Sequence, residues 1–376
     1  MSCRKELVVE DVRCEPTARG WQLSAAVRSG TQLPAARLHF TVPGGEDGWL
    51  AERGDAFLAA LLMPAMGLGA ELVVDAPVSG RLLRSARTVM EVYAAWWERL
   101  REVRVAAGEP VGARPGLDAT GLFFTLGVDS FYSLLRDGER RAEPGHRPVT
   151  ELLFVNFEQH TGPDHDRLLD RVRRVAEHSG CRAVVVETNV RALTAPLVGW
   201  EDYHGAALGS TALALQGLLG RCLVAASFEY RHLPPYGSHP VLDHLWSTEA
   251  LDVVHDGADA TRAEKVARRL AHSDLALRNL TVCWRDRPGR NCGACEKCLR
   301  TMVALELAGV LRRCGTLPGV LDLERLRTVP MSTADARDAM RETGRDAGAR
   351  GRADLAEAAA LAADRHGPVP PAAVAR

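Results

Sequence analysis

From Gly121 onward, short apolar runs alternate with helix-length segments, and this alternation restricts the fold more than any other feature of the chain. Leu122–Thr125, Glu151–Phe157, Arg182–Glu187 and Arg221–Ala226 read as strands, with Leu251–Val254 as a fifth. Asp129–Arg136, Asp164–Ser179 and Gly205–Leu219 read as the helices between them. Parallel neighbours need long crossovers, usually helical, so the pattern predicts an α/β fold with a parallel sheet covered on both faces. Ligands of such sheets bind outside the carboxyl ends of the strands. That directs attention to Thr125–Ser130, Asn156–His160, Glu187–Asn189 and Ser227–Tyr230.

The flanks have a different texture. Residues 1–110 read as an N-terminal α+β unit: strands at Leu7–Val12, Trp21–Val27, Ala36–Val42 and Glu71–Val74, with helices at Gly54–Met66 and Ser79–Arg101. Ala107–Ala119, rich in glycine and proline, reads as the linker to a core spanning 118–315. Residues 316–376 read as a helical tail, with helices at Ala334–Thr343 and Asp354–Arg365 and Gly344 as the stop of the first. A formal net charge of -1 gives no whole-chain basic footprint, which disfavours a nucleic-acid partner. No apolar run approaches the roughly 20 residues of a membrane span. The opening Met1–Glu6 lacks the apolar core of a secretory signal, so the expectation is a cytoplasmic protein. A homodimer is compatible with the chain.

The segment Phe123-Phe124-Thr125-Leu126-Gly127-Val128-Asp129-Ser130 places a tight turn between a strand and a helix. Such a turn points backbone N–H groups at an anion, and the helix dipole adds partial positive charge. Thr125 and Ser130 supply hydroxyls. Asp129 repels phosphate unless a cation lies between them, which suits a Mg²⁺ contact. The same segment also reads as an ordinary turn with Asp129 and Ser130 in the first helical turn. It resembles the signature of the PP-loop ATP pyrophosphatases, S-G-G-x-D-S, with Thr125 for the serine, Leu126 for the first glycine, and Gly127, Asp129 and Ser130 retained. The resemblance implies a Rossmann-like core of the HUP type that cleaves ATP to AMP and pyrophosphate. In it Thr125, Leu126, Gly127, Val128, Asp129 and Ser130 form the phosphate loop.

Nine cysteines are unevenly spread, and four form Cys283-x8-Cys292-x2-Cys295-x2-Cys298. Two-residue gaps bend a short loop around one ion, and four thiolates close a tetrahedral Zn²⁺ shell. An iron–sulfur cluster is an open alternative. Together with the loop, this pattern is similar to the 7-cyano-7-deazaguanine synthase (QueC) family over roughly residues 120–310. That resemblance implies a structural zinc and an ATP-dependent ligase. The enzyme would activate a small-molecule carboxylate as an acyl-adenylate for attack by ammonia or an amine, in specialised or modified-nucleobase biosynthesis. Sulfur insertion through the same adenylate, or nucleotide or partner binding without catalysis, are the alternatives.

Further polar groups follow. Arg262 and Lys265 share a helix face after the last strand, where PP-loop enzymes often place a base on the ATP phosphates. Asp129, Ser130 and Lys265 are therefore the candidate catalytic residues, and Arg262 a nucleotide contact. Lys265 is one of only three lysines, with Lys5 and Lys297. Histidines at His232, His239, His244 and His255 lie in a loop-rich stretch without the i, i+4 spacing of a helical metal site.

Overall fold

The computed structural model describes residues 5–30, 33–110, 117–157, 160–283, 285 and 289–365. The strands are β1 (Glu6–Thr17), β2 (Gly20–Ser29), β3 (Leu33–Pro43), β4 (Glu71–Val74), β5 (Val105–Ala107), β6 (Thr120–Phe123), β7 (Glu151–Asn156), β8 (Arg182–Thr188), β9 (Arg221–Ala225) and β10 (Asp252–Asp256). The helices are α1 (Asp55–Leu68), α2 (Gly80–Trp96), α3 (Val128–Arg140), α4 (Pro163–His178), α5 (Val190–Thr194), α6 (Trp200–Ala214), α7 (Arg262–Arg268), α8 (Asp274–Asn279), α9 (Glu296–Leu307), α10 (Leu323–Thr328), α11 (Ala334–Ala349) and α12 (Ala353–Ala363).

All ten strands form one sheet, in the order β10-β9-β6-β7-β8-β3-β2-β1-β4-β5. The five strands β10, β9, β6, β7 and β8 are mutually parallel. The chain runs from β6 to β7 and β8 on one side, then returns to β9 and β10 on the other. The sheet therefore has its topological switch at β6, where the crevice of a doubly wound sheet opens. All four residues of β6 are buried, as a central strand covered on both faces requires.

The N-terminal strands continue this sheet. β3 pairs antiparallel with β8 through Phe40↔Thr188 and Thr41↔Glu187. Asn189 reinforces the seam, accepting from the His39 N–H at 3.0 Å and donating to the Arg37 carbonyl at 2.8 Å. On one face, α1 is buried from Asp55 to Met66 and packs against α6. A helix apolar all round belongs in a core, and this one joins Phe40, Phe57, Phe123, Leu153 and Leu213 in a single cluster. The other face carries a second cluster of α3, α4, α9 and the tail, including Phe124, Leu126, Phe131, Val172, Leu299, Met340 and Leu355.

Several boundaries differ from expectation. Gly344 does not stop its helix: α11 runs on to Ala349. The helix runs through Gly344 beside α12, where a Cβ would meet the Ala359 Cβ at 3.4 Å, an ordinary contact. The helix expected at Gly205–Leu219 lies at Trp200–Ala214, its end closed by 3-10-type bonds such as Leu218 N–H to Leu215 O at 2.8 Å. A Cβ on Gly205 would lie 1.9 Å from the Gly237 carbonyl oxygen, so the glycine admits a crossing loop. α2 ends at Trp96, because Trp97 is extended. Ala107 closes β5 rather than opening a linker, and 111–116 of that expected linker lie outside the described residues. No described helix is long and apolar enough to cross a membrane.

Candidate active site and metal centre

The turn after β6 holds its shape by local bonds. Leu126 takes φ +61°, a left-handed conformation that costs a non-glycine residue about 1–2 kcal/mol. Its side chain is nonetheless fully buried, beside Phe124 and Phe131 in the second core. The Leu126 carbonyl accepts from the Thr281 N–H at 2.8 Å. Gly127 is the residue before α3 and is extended. The Ser130 hydroxyl donates to the Gly127 carbonyl at 3.2 Å and accepts from the Thr125 N–H at 3.4 Å, so it ties the two ends of the turn. Thr125 is exposed at the rim and Val128 is buried. Leu126 thus adopts the geometry that a glycine would, with its side chain serving as a core anchor.

Asp129 in the first turn of α3 meets α7. Its Oδ1 accepts from Lys265 Nζ at 2.9 Å and its Oδ2 from Arg262 at 3.1 Å. Lys265 also donates to the Ala226 carbonyl at 2.6 Å, and its side chain is 1% exposed against 20% for Asp129. Burial alone would raise the Asp129 carboxyl, but the charges of Lys265 and Arg262 overcome it and hold the pKa below the ordinary value. Asp129 is therefore anionic near neutrality. α7 is set by a capping box between Thr261 and Glu264, which aims Arg262 and Lys265 along one face. The sequence-predicted Asp129, Arg262 and Lys265 form one ion-pair network, with Ser130 and Gly127 beside it in the turn.

α9 supplies charges that sequence reasoning missed. Arg262 reaches Thr301 Oγ1 at 3.5 Å, which marks the α9 face that packs on α7. Lys297 and Arg300 lie on that face, four and one residues before Thr301. Lys297 is partly exposed and within electrostatic reach of Arg262, Glu296, Arg300 and Asp129. Arg300 pairs with Glu296 at 3.3 Å. Burial and the nearby arginines lower the Lys297 pKa. The available signal was the rarity of lysine, with Lys297 placed between two metal-spaced cysteines. Glu342 of α11 faces the same group; burial pushes its carboxyl up to about 7, with Arg262, Arg300 and Lys265 opposing.

A second polar group lies beyond β9. Burial and a hydrogen bond with Asp335 push the Glu201 carboxyl up to about 7, and the Asp335 carboxyl is raised as well. His204 contacts the Tyr236 ring at 4.6 Å between centroids, and its Nδ1 lies 3.0 Å from the Glu201 carbonyl. The other expected positions are structural. His160 bonds Asn156, and Glu158 and Gln159 lie outside the described residues. Thr188 is buried and accepts from the Val190 N–H. Two of the four histidines, His239 and His255, converge on Asp243, which also accepts from the His239 N–H at 3.2 Å; the other two have separate partners. His232 pairs with Glu229, His244 lies against the Pro240 carbonyl, His239 accepts from Val241, and His255 pairs with Asp243 at 2.7 Å.

The four expected cysteines do converge. Their Sγ atoms all lie within 4.8 Å of one another, with Cys283–Cys295 and Cys292–Cys298 each at 3.9 Å. A tetrahedron of Zn–S bonds near 2.3 Å has edges of about 3.8 Å, so this spacing fits a single ion. Backbone N–H groups of Ala294 and Cys295 point at Cys292 Sγ at 3.4 and 3.2 Å, and that of Cys298 at Cys295 Sγ at 3.5 Å. A hydrogen bond from Cys298 lowers the Cys295 thiol and raises Cys298 in return. Gly293 has φ +67°, and a Cβ there would strike the Pro318 ring at 2.6 Å. Asn291 clasps the loop base, accepting from the N–H groups of Val282 and Cys283 and donating to the carbonyls of Leu280 and Thr316. Four close cysteines at this site can hold a metal ion. Among known proteins, no family model, no curated protein and no solved structure matches the chain.

Proposed function

We propose that the chain binds Mg²⁺–ATP at the turn after β6 and uses it to adenylate a small-molecule carboxylate or similar oxygen. The carboxylate oxygen attacks the α-phosphorus and pyrophosphate leaves. Ammonia or an amine then attacks the acyl carbon, AMP leaves, and the nitrogen gives up a proton. One conjunction carries this reading: a tight turn into a helix at the topological switch of a parallel sheet, with Arg262, Lys265 and Lys297 gathered beside it. Each Asp129 oxygen keeps a lone pair after its ion pair, which suits a hydrated Mg²⁺ on the phosphates. The cysteine spacing supports one Zn²⁺ as a structural ion, since a multi-iron cluster places several atoms between its thiolates and spreads them further.

Calorimetric titration of the zinc-loaded protein with Mg²⁺–ATP tests the reading. Micromolar binding, about -8 kcal/mol, is expected, followed by AMP release when acids are screened with ammonia. Absence of binding would remove it. The strained, core-anchored Leu126 favours a second reading, nucleotide binding without turnover, which expects ATP binding but no AMP from any acid. Sulfur insertion is not favoured: Cys181 precedes β8 and Cys222 lies near the start of β9, at the opposite end of the sheet from the turn.

A further inference from the structure

We propose that His255, oriented by Asp243, takes the proton that the attacking nitrogen gives up, which makes His255 a further catalytic residue. The proposal rests on the adenylation reading above. Asp243 opens a short 3-10 turn, Asp243–Trp246, that packs against α2, α6 and β10. Its side chain is 1% exposed. Oδ2 accepts from Ser238 Oγ and lies 2.7 Å from His255 Nδ1, and Oδ1 accepts from the His239 N–H at 3.2 Å. No lysine or arginine pairs with Asp243 among the described residues, so the counter-charge within reach is the His255 ring. An imidazole that donates Nδ1–H to a carboxylate keeps its lone pair on Nε2, and the carboxylate stabilises the imidazolium that forms. The His255 side chain is 5% exposed, and its Nε2 has no hydrogen-bond partner among the described residues. A base, the acid that orients it and an unused ring nitrogen are thus all present.

The pair lies at the carboxyl end of the parallel strands, where the turn after β6 also opens. The Asp256 carbonyl next to it accepts from the Ala226 N–H at 2.7 Å. The Ala226 carbonyl in turn accepts from Lys265, the partner of Asp129. Ser238 lies in the segment that follows β9, so one carboxyl both aims His255 and anchors that segment. Trp96 of α2 packs edge-on against His239 at 4.9 Å, which brings the N-terminal unit into the same group. His239, His204 of α6, Tyr93 of α2 and Cys222 of β9 are the titratable groups in electrostatic reach of Asp243. Burial holds both histidines toward the neutral form and keeps the phenol and thiol protonated, so none of them adds a charge to the pair near neutrality. As the C–N bond forms from the nitrogen lone pair, an N–H bond breaks and its electron pair stays on nitrogen. The proton passes to Nε2, and AMP leaves with the electron pair of the acyl C–O bond.

The test gives zinc-loaded protein acetyl adenylate and ammonium chloride, which bypass the adenylation step. Acetamide formation is followed from about pH 6 to 9 in wild type, His255→Gln, Asp243→Asn and Ser238→Ala, with Tm, metal content and Mg²⁺–ATP affinity recorded for each. Wild type is expected to exceed the protein-free rate. His255→Gln should lose about a hundredfold of that rate with Mg²⁺–ATP affinity unchanged. Asp243→Asn should move the rising limb of the pH profile to lower pH, because the imidazole loses the charge that favours its protonated form. Ser238→Ala keeps both members of the pair and should stay near wild type; a purely structural clasp would place it with His255→Gln. A folded His255→Gln protein with the wild-type rate overturns the inference. If that variant does not fold, an unmoved limb in Asp243→Asn overturns it. A wild type that binds Mg²⁺–ATP but does not speed acetamide formation also overturns it and leaves the nucleotide reading standing. Acetamide formation that depends on His255 in a protein that does not bind Mg²⁺–ATP upholds the base and removes the nucleotide reading instead.

Discussion

Asp129→Asn keeps the shape of the side chain but removes the charge that holds Lys265. The Lys265 ammonium, 1% exposed, would then rest on the Ala226 carbonyl and a neutral amide. Removing one partner of a buried ion pair costs about 3–5 kcal/mol, because the other charge is left uncompensated. At roughly 2.1 cal/mol/K per residue, this chain unfolds with an entropy near 0.8 kcal/mol/K, so the expected fall in Tm is about 4–6 °C. Lys265→Met should cost less, about 1–3 kcal/mol, because Asp129 keeps Arg262. The double variant should sit near Lys265→Met alone, giving a coupling energy of about 3–5 kcal/mol. The pH dependence has a fixed sign. Asp129 has its pKa depressed on folding, so its contribution is present above the ordinary carboxylate value of about 3.9 and is lost as pH falls through the lowered one. The gap between wild type and Asp129→Asn should close in that acid range. Differential scanning calorimetry of the four proteins measures all of this. An Asp129→Asn protein within about 1 °C of wild type, or a double variant as unstable as the two singles summed, would refute the argument. An Asp129→Ala protein with no turnover is thus informative only at temperatures where it remains folded.

Three further outcomes follow from the geometry. Leu126→Ala and Leu126→Gly both lose buried side-chain contacts, at about 2–5 kcal/mol, but only glycine relaxes at φ +61°. Leu126→Gly should be the more stable of the two by about 1 kcal/mol in urea unfolding, the reverse of the usual order; an alanine variant that is equal or better rules out the left-handed turn. The Glu201 carboxyl is raised on folding to about 7, so it contributes fully below its ordinary value near 4.5 and the contribution is lost as pH rises through 7. Glu201→Gln should flatten that loss between about pH 4.5 and 7, and a wild-type stability curve level across that window would contradict the shift. Metal analysis should find one ion per chain, and Cys298→Ser should lower both metal content and Tm; a native fold with full stability and no metal would contradict the cysteine centre.

The parallel half of the fold and the cysteine centre were readable because each rests on a local pattern. Valine-rich runs spaced by helix-length segments specify the crossovers, and the two x2 gaps specify a closed loop. The joining of the N-terminal strands to the sheet was not readable. It depends on two residue pairs between β3 and β8 and on Asn189 reaching back over the chain, and no spacing rule encodes a contact across so long a separation. Gly344 is a related case: nothing local distinguishes a glycine that ends a helix from one the helix runs through. In the site, Asp129, Arg262 and Lys265 were picked out by residue type, yet their mutual ion pairing was not. Lys297 lies on the face of α9 that meets α7, a placement that residue spacing alone does not give.

That adjacency is the most informative relation in the molecule. Cys295 is at once a candidate metal ligand and the N-cap of α9, accepting from the Cys298 N–H. Lys297, Arg300 and Thr301 follow within two turns on the face that meets α7. A single ion closed by four thiolates keeps no open position for substrate, so such an ion acts through the fold. The fold element such an ion would fix is the start of α9, the helix that packs on α7. A structural zinc site can contribute on the order of 10 kcal/mol or more to its local fold, far more than the mutual repulsion of the nearby cations in a partly solvated cleft.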